Sequence, residues 1–313
     1  MFALRGIAVS LTFFGVLYCV LSFLVTVGWR LLTLLHMKSV GTLANLLFGL
    51  RILPMSASLL ITLGLVVPSF QLLEPRSIEE NVGGLPLVLG FCALLLIACG
   101  IVRVLTVKIG TSRIVARWMQ GATPASVGTE VETFRSSYNV PPLTLIGLCN
   151  PKVVMSDSAF RLLSSDELNV AIKHEVAHVR SHDNLKKLVL RLSPFPGMAK
   201  LESAWSQAAE LAADDAAVSN QDDAVNLAAA LVKLSRLVPT ETAPACSIGL
   251  MTGSPIRARV ARLLAWDEIV RSKQVKRHYW YAIPPVVMAF MCVLSIYVPA
   301  LNVAHQITEW IVR

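Results

Sequence analysis

His174 and His178 stand four residues apart in the string His174-Glu175-Val176-Ala177-His178, and a second string, Glu210-Leu-Ala-Ala-Asp214, begins 32 residues after His178. On a helix, positions i and i+4 share a face, so both histidines can present a ring nitrogen to one metal ion. Glu175 follows the first of them, where a carboxylate can take a proton from water at the metal. That spacing points to a metalloprotease rather than to two incidental histidines. The third ligand must come from elsewhere, and Glu210 is the best candidate, on a helical segment expected over Ala204 to Val218. Two histidines and a glutamate form a catalytic zinc set with an open fourth position. Asp214, one turn beyond Glu210, faces the same way and can accept the outer N–H of one of the two histidines. A solvated helix face is the alternative for Asp214 and Asp215. His182 lies eight residues after His174 and is expected to face solvent or to stand behind the ligands.

These residues sit in an unusually apolar chain. Of 313 residues 55% are hydrophobic and only 15% charged, and the mean hydropathy is positive. That composition implies an integral membrane protein. Four uncharged runs are long enough to span a bilayer as helices: Gly6 to Trp29, Ile52 to Leu73, Val82 to Val102 and Tyr279 to Ala304. Trp29, Tyr279, Trp280, Tyr281 and Trp310 lie near run ends, where headgroups favour amphipathic rings. The first run has no small-residue cleavage site and reads as a retained span. Leu31 to Leu50 reads as interfacial or re-entrant.

Cations collect on one side of these runs. Arg30, Lys38 and Arg51 lie between the first two, Arg103, Lys108, Arg113 and Arg117 follow the third, and Arg271, Lys273, Lys276 and Arg277 precede the fourth. Glu74, Arg76, Glu79 and Glu80 lie between the second and third. The positive-inside rule then places both termini outside and the soluble segment in the cytoplasm, at the cell membrane. The net charge of +8 is accounted for by juxtamembrane clusters facing anionic lipid, with no nucleic-acid patch required. The six cysteines, Cys19, Cys92, Cys99, Cys149, Cys246 and Cys292, show no metal or redox spacing and read as small apolar packing residues.

The expected organisation is a three-span region over 1–106, a zinc peptidase domain of α+β type over 107–278, and a fourth span with a short outer tail over 279–313. Within the soluble part, Thr123 to Ser137 reads as a helix capped by Thr123 with Pro124 at its first position. Pro141 to Met155 reads as two short strands around a turn from Gly147 to Pro151. Ser164-Ser-Asp-Glu167 is a capping box that starts the helix carrying His174. Asn184 to Leu192 reads as a basic amphipathic helix that, with Phe195 and Met198, either lies on the membrane surface or packs on the core. Val153 to Met155 reads either as an exposed sheet edge that an extended substrate could join or as an ordinary buried strand. Tyr138, Arg180, His182 and Arg259 are the candidates for stabilising an oxyanion.

Gly147-Leu-Cys-Asn-Pro151, Lys152 to Met155, Leu162 to Leu168, His174 through Asp183-Asn184, and Glu210 to Asp215 together resemble the BlaR/MecR-type membrane zinc peptidases. The order of three spans, zinc domain and fourth span is similar to that family as well. The resemblance implies a gluzincin-like domain facing the cytoplasm, Zn2+ held by His174, His178 and Glu210, Glu175 as catalytic base, and cleavage of a transcriptional repressor. The antibiotic sensors of that family carry a penicillin-binding domain after the last span. This chain ends at Arg313, so acylation by a β-lactam is not expected, and any sensing would pass through short loops or a sensor partner protein. The HtpX and CAAX prenyl protease type is also similar in its HExxH and ExxxD strings. Its late His-Pro-x-x-x-Arg element is echoed by Ser254-Pro255-Ile-Arg-Ala-Arg259, with Ser254 in place of the histidine.

Three readings of function follow. The first is an endopeptidase in regulated signalling, the second an HtpX-like quality-control protease, and the third a non-catalytic zinc module that transduces a signal by binding. Glu175 favours an enzyme, since an idle site has no physical need of it.

Overall fold

The computed structural model describes residues 2–32, 39–74, 83–125, 131–138, 140–147, 150–237, 256–266 and 297–307. The chain divides into two compact units. One comprises Met1–Trp29, Ile52–Cys99 and Lys273–Arg313, the other Arg30–Arg51 and Gly100–Ser272.

Long apolar helices dominate the first unit. Helix α1 runs over Phe2–Leu32 and α2 over Val40–Ile61, which continues through a π-helical turn, Thr62–Val66, into α3, Val67–Leu73; α4 runs over Gly84–Met119. The segments Phe2–Arg30, Val40–Leu73 and Gly84–Met119 are each long and apolar enough to cross a membrane. Their outward faces carry Phe23, Leu60, Leu63, Leu72 and Phe91, all exposed, as lipid-facing residues would be. The buried Thr12 hydroxyl finds backbone partners, lying 2.8 Å from the Ala8 carbonyl and 2.6 Å from that of Pro86. Arg5 pairs with Glu74.

Several expectations change here. Val40 to Leu50, within the segment expected to be interfacial or re-entrant, is the start of α2, which runs on without a break into the second uncharged run. Helix α4 passes its uncharged run and continues through Arg103, Lys108, Arg113 and Arg117, all good helix formers or neutral to the helix. Cys19, Cys92 and Cys99 are free, but they are exposed rather than packed inside. Most of the fourth run, including Tyr279, Trp280, Tyr281 and Cys292, lies outside the described residues, as do Lys38, Arg76, Glu79, Glu80, Cys149, Cys246, Ser254, Pro255, Arg271, Lys273, Lys276, Arg277 and Trp310. Residues 297–307 are helical, and the Tyr297 hydroxyl donates to the Gly64 carbonyl in the π-helical turn at 3.0 Å.

The second unit holds a four-stranded sheet with helices around it. Strands β1 (Thr123–Pro124), β2 (Thr133–Ser136), β3 (Leu143–Ile146) and β4 (Lys152–Ser156) are ordered β1-β2-β4-β3. Only the β2/β4 pair is parallel. The described residues of the helix expected over Thr123 to Ser137 therefore include two strands and no helix. Thr-Pro resembles a helix start, but Val131 and Thr133 are β-branched, and pairing with β4 decides in favour of strands. The two strands on either side of the Gly147 to Pro151 turn form as expected. Val153 to Met155, however, is no exposed edge: β4 is paired on both sides and all three residues are fully buried.

Gly147 makes that turn possible. Its φ is +92°, and a Cβ there would stand 2.5 Å from the Asn150 carbonyl oxygen. Gly147→Ala should cost about 1–3 kcal/mol, read as a lowered thermal midpoint in detergent; an unchanged midpoint would contradict the turn's geometry.

Helices then follow one another: α5 (Asp157–Leu162), α6 (Ser165–Arg180), α7 (Asp183–Leu192), α8 (Ala199–Ala217), α9 (Gln221–Leu234) and α10 (Ile256–Leu264). The capping box is present, with the Ser164 hydroxyl accepting from the Glu167 N–H and the Glu167 carboxylate accepting from the Ser164 N–H. Leu143, Leu145, Val153 and Met155 of the sheet join Ala171 and Ile172 of α6 and Leu227 and Leu231 of α9 in one buried core. This core fixes α6, and α6 carries the two histidines. Met198 is buried, so it does not lie on a membrane surface, and α7 buries Asp183, Asn184 and Leu190 while exposing Leu185 and Val189.

Candidate metal centre

His174 and His178 lie one turn apart on α6, and α8 brings Glu210 to them. The three form a buried group whose ligand atoms all lie within 4.8 Å of one another, a group that could hold a metal ion. The two Nε2 atoms are 3.2 Å apart, His174 Nε2 is 3.6 Å from one Glu210 oxygen, and His178 Nε2 is 3.8 Å from the other. A tetrahedral ion with bonds of about 2.0–2.2 Å would hold its ligand atoms roughly 3.3–3.6 Å apart. The donor set present therefore fits such an ion with little movement. The imidazole rings stand edge to face at 86°, so the two lone pairs can converge on one point.

Each ring is held from behind. His174 Nδ1 lies 3.0 Å from Asp214 Oδ1, and His178 Nδ1 lies 2.8 Å from Asp183 Oδ2. A carboxylate on the outer nitrogen fixes the tautomer that leaves Nε2 free for a metal. Asp214 stands within contact distance of the His174 ring, at an angle outside hydrogen-bond geometry. Asp183 was visible in the sequence only as part of a resemblance and acquires its role from the chain reversal at His182, whose φ of +55° turns α7 back towards α6. Asp183→Asn should weaken metal binding by about 10- to 100-fold, measured by competition with a chelator. Wild-type affinity in that variant would deny Asp183 this role.

Arg259 completes the centre from α10. It is buried, its Nη1 donates to Glu210 at 2.9 Å, and its Nε and Nη2 donate to Asp214 at 2.8 and 2.6 Å. Two inward carboxylates thus share one guanidinium, whose planar fork suits the paired contact. Burial works against an ionised Asp214, but its hydrogen bonds and charge contacts with His174 and Arg259 prevail and hold it well below the usual carboxylate range. Asp215 points elsewhere and pairs with Arg262 at 2.7 Å, half exposed. The solvated-face alternative thus fits Asp215 better than Asp214.

Burial likewise disfavours a charged His174. Close contact with the Asp214 and Glu210 carboxylates outweighs that and raises its pKa to about 9. In the metal-free protein His174 then carries a proton at neutral pH, and a metal must displace it. Because the pKa is raised, metal affinity should fall as pH drops below about 9, by about tenfold per pH unit. Calorimetric titrations across the neutral range would check this; a flat profile would contradict it.

Glu175 is fully buried immediately after the first histidine. Of the residues considered for an oxyanion, Arg259 is committed to Glu210 and Asp214, and Arg180 and His182 are exposed. The His182 Nδ1 lies 3.1 Å from the Arg180 carbonyl, and His182 is not in the ligand group. Tyr138 lines a separate hollow of about 410 Å³ with Ser156 and Asp157.

No protein-family model matches this chain, and no curated protein matches it either. What the chain does must be read from its own residues.

Proposed function

We propose that this chain is a membrane-embedded zinc endopeptidase that hydrolyses peptide bonds of a cytoplasmic or membrane-associated protein. The observation that carries the proposal is the convergence of His174, His178 and Glu210 with Glu175 buried beside them. Two imidazoles, one carboxylate and an adjacent carboxylate base form the donor set of a hydrolytic zinc site, while structural zinc sites are closed by four protein ligands. No cysteine belongs to the group, which favours zinc with an N/O shell over softer, thiolate-bound metals.

Zinc, when bound, supplies Lewis acidity that makes water acidic near neutral pH and draws electron density from a carbonyl oxygen. Glu175 takes the proton of the attacking water as its oxygen bonds to the peptide carbon. The same carboxyl returns that proton to the amide nitrogen as the carbon–nitrogen bond breaks. Asp214 and Asp183 keep both rings turned with Nε2 inward, and Arg259 balances the charge of Glu210 and Asp214.

The proposal extends to a fourth span over Tyr279 to Ala304, a gluzincin-like domain on the cytoplasmic side, and a regulatory substrate such as a transcriptional repressor. Cation placement supports the orientation, and the resemblance to BlaR/MecR-type peptidases supports the fold and substrate. Purified protein incubated with membrane and cytosolic proteins, with and without chelator, should generate new protein N termini only when zinc is present. Mass spectrometry of those termini would name the substrate. Zinc-loaded protein that generates none from any fraction would defeat the proposal.

A further inference from the structure

Helix α7 borders a cavity of about 690 Å³ whose lining includes Arg51, Arg103, Lys187, Arg191, Glu202 and Trp205. That volume falls in the range of small-molecule sites. Four cations face one carboxylate, and the carboxylate is already taken: Glu202 accepts from Arg51 at 2.7 Å. Arg51 itself is almost completely buried and also donates to the Ser193 hydroxyl and carbonyl at 3.0 and 2.7 Å. Arg103 and Arg191 leave the remaining lining with an excess of positive charge. Among the described residues, no carboxylate pairs with Arg103 or Arg191.

A second observation points to an acceptor-rich occupant. Trp205 is 2% exposed, and its indole N–H has no hydrogen-bond partner among the described residues. Buried donors are rarely left so. An oxygen-bearing anion in the cavity would supply both the missing acceptor and the missing negative charge.

Position in the chain narrows the class of anion. Arg51 is the last charged residue before the uncharged run that ends at Leu73, and Arg103 is the first after the uncharged run from Gly84. Both runs belong to helices long and apolar enough to cross a membrane, so these arginines stand where such helices meet headgroups. We propose that this cavity binds a phosphate-bearing anion, whether the headgroup of an anionic phospholipid or a soluble phosphate. Lys187 and Arg191 follow Asp183 by four and eight residues on α7, so an occupant would steady the helix that orients His178.

The test uses the full chain in mild detergent, with binding read by native mass spectrometry. Short-chain phosphatidylglycerol, short-chain phosphatidylcholine and inorganic phosphate are titrated in parallel. Phosphatidylglycerol should bind about tenfold or more tightly than phosphatidylcholine. The double variant Arg103→Gln/Arg191→Gln should lose that preference, and Lys108→Gln/Arg113→Gln, altered outside the cavity, should keep it. Both variants change exposed side chains, and a wild-type melting midpoint certifies their fold. Binding of inorganic phosphate that is lost in the cavity variant would support the site and assign it to a soluble anion. A preference that survives in the cavity variant, or a wild type that neither prefers phosphatidylglycerol nor binds inorganic phosphate, would overturn the proposal. Neither result bears on the peptidase reading, since no metal or cleavage enters the measurement.

Discussion

Glu175→Gln should keep the metal and lose peptide-bond hydrolysis. Glutamine matches glutamate in shape, so the fully buried position is refilled without a cavity, and His174, His178 and Glu210 are untouched. On the proposed mechanism, what disappears is the group that accepts a proton from water and passes it to the leaving nitrogen. Losing a positioned general base costs on the order of 10²- to 10⁴-fold in rate. The check is a paired determination of zinc content and cleavage rate on wild type and variant. Equal zinc with cleavage only in the wild type is the expected pattern. Full cleavage by the variant would mean that another group is the base.

Arg259→Met should produce the largest loss of stability. The guanidinium is buried and contacts both Glu210 and Asp214, so methionine would fill much of its volume while taking the arginine charge away from two buried carboxylates. Removing one partner of a buried ionic cluster costs about 3–5 kcal/mol. A bound zinc ion should recover part of that, because it supplies positive charge to Glu210 directly. Arg262→Met is the control: its pair with Asp215 is half exposed, and such pairs are worth about 1 kcal/mol or less. Thermal melting of both variants, with metal and after chelation, separates the two cases. Similar melting points for both would show that the buried network is not a stabilising element.

Features that depend on local periodicity were legible in the sequence. The i, i+4 spacing of His174 and His178, the capping box at Ser164 and Glu167, the two strands around Gly147 and the second helix bearing Glu210 and Asp214 all depend on short-range rules. Features set by distant pairing were not. The segment Thr123 to Ser137 resembles a capped helix until β4 pairs with it, and Val153 to Met155 becomes a central strand only because β2 and β3 flank it. Asp183 reaches His178 through a left-handed residue at His182, a conformation to which histidine is only weakly biased. Arg259 lies 49 residues beyond Glu210, and only the packing of α10 brings it to the ligand carboxylates. Its place in an otherwise incomplete echo of a late arginine motif was the one available signal.

Zinc-edge X-ray absorption on the purified full chain tests the central claim most directly. The account predicts a zinc ion with a shell of nitrogen and oxygen only, at about 2.0–2.2 Å, with the scattering signature of two imidazoles, and its loss in His174→Ala. A sulfur shell near about 2.3 Å, or a spectrum unchanged in His174→Ala, would contradict it, as would protein that takes up no zinc at all.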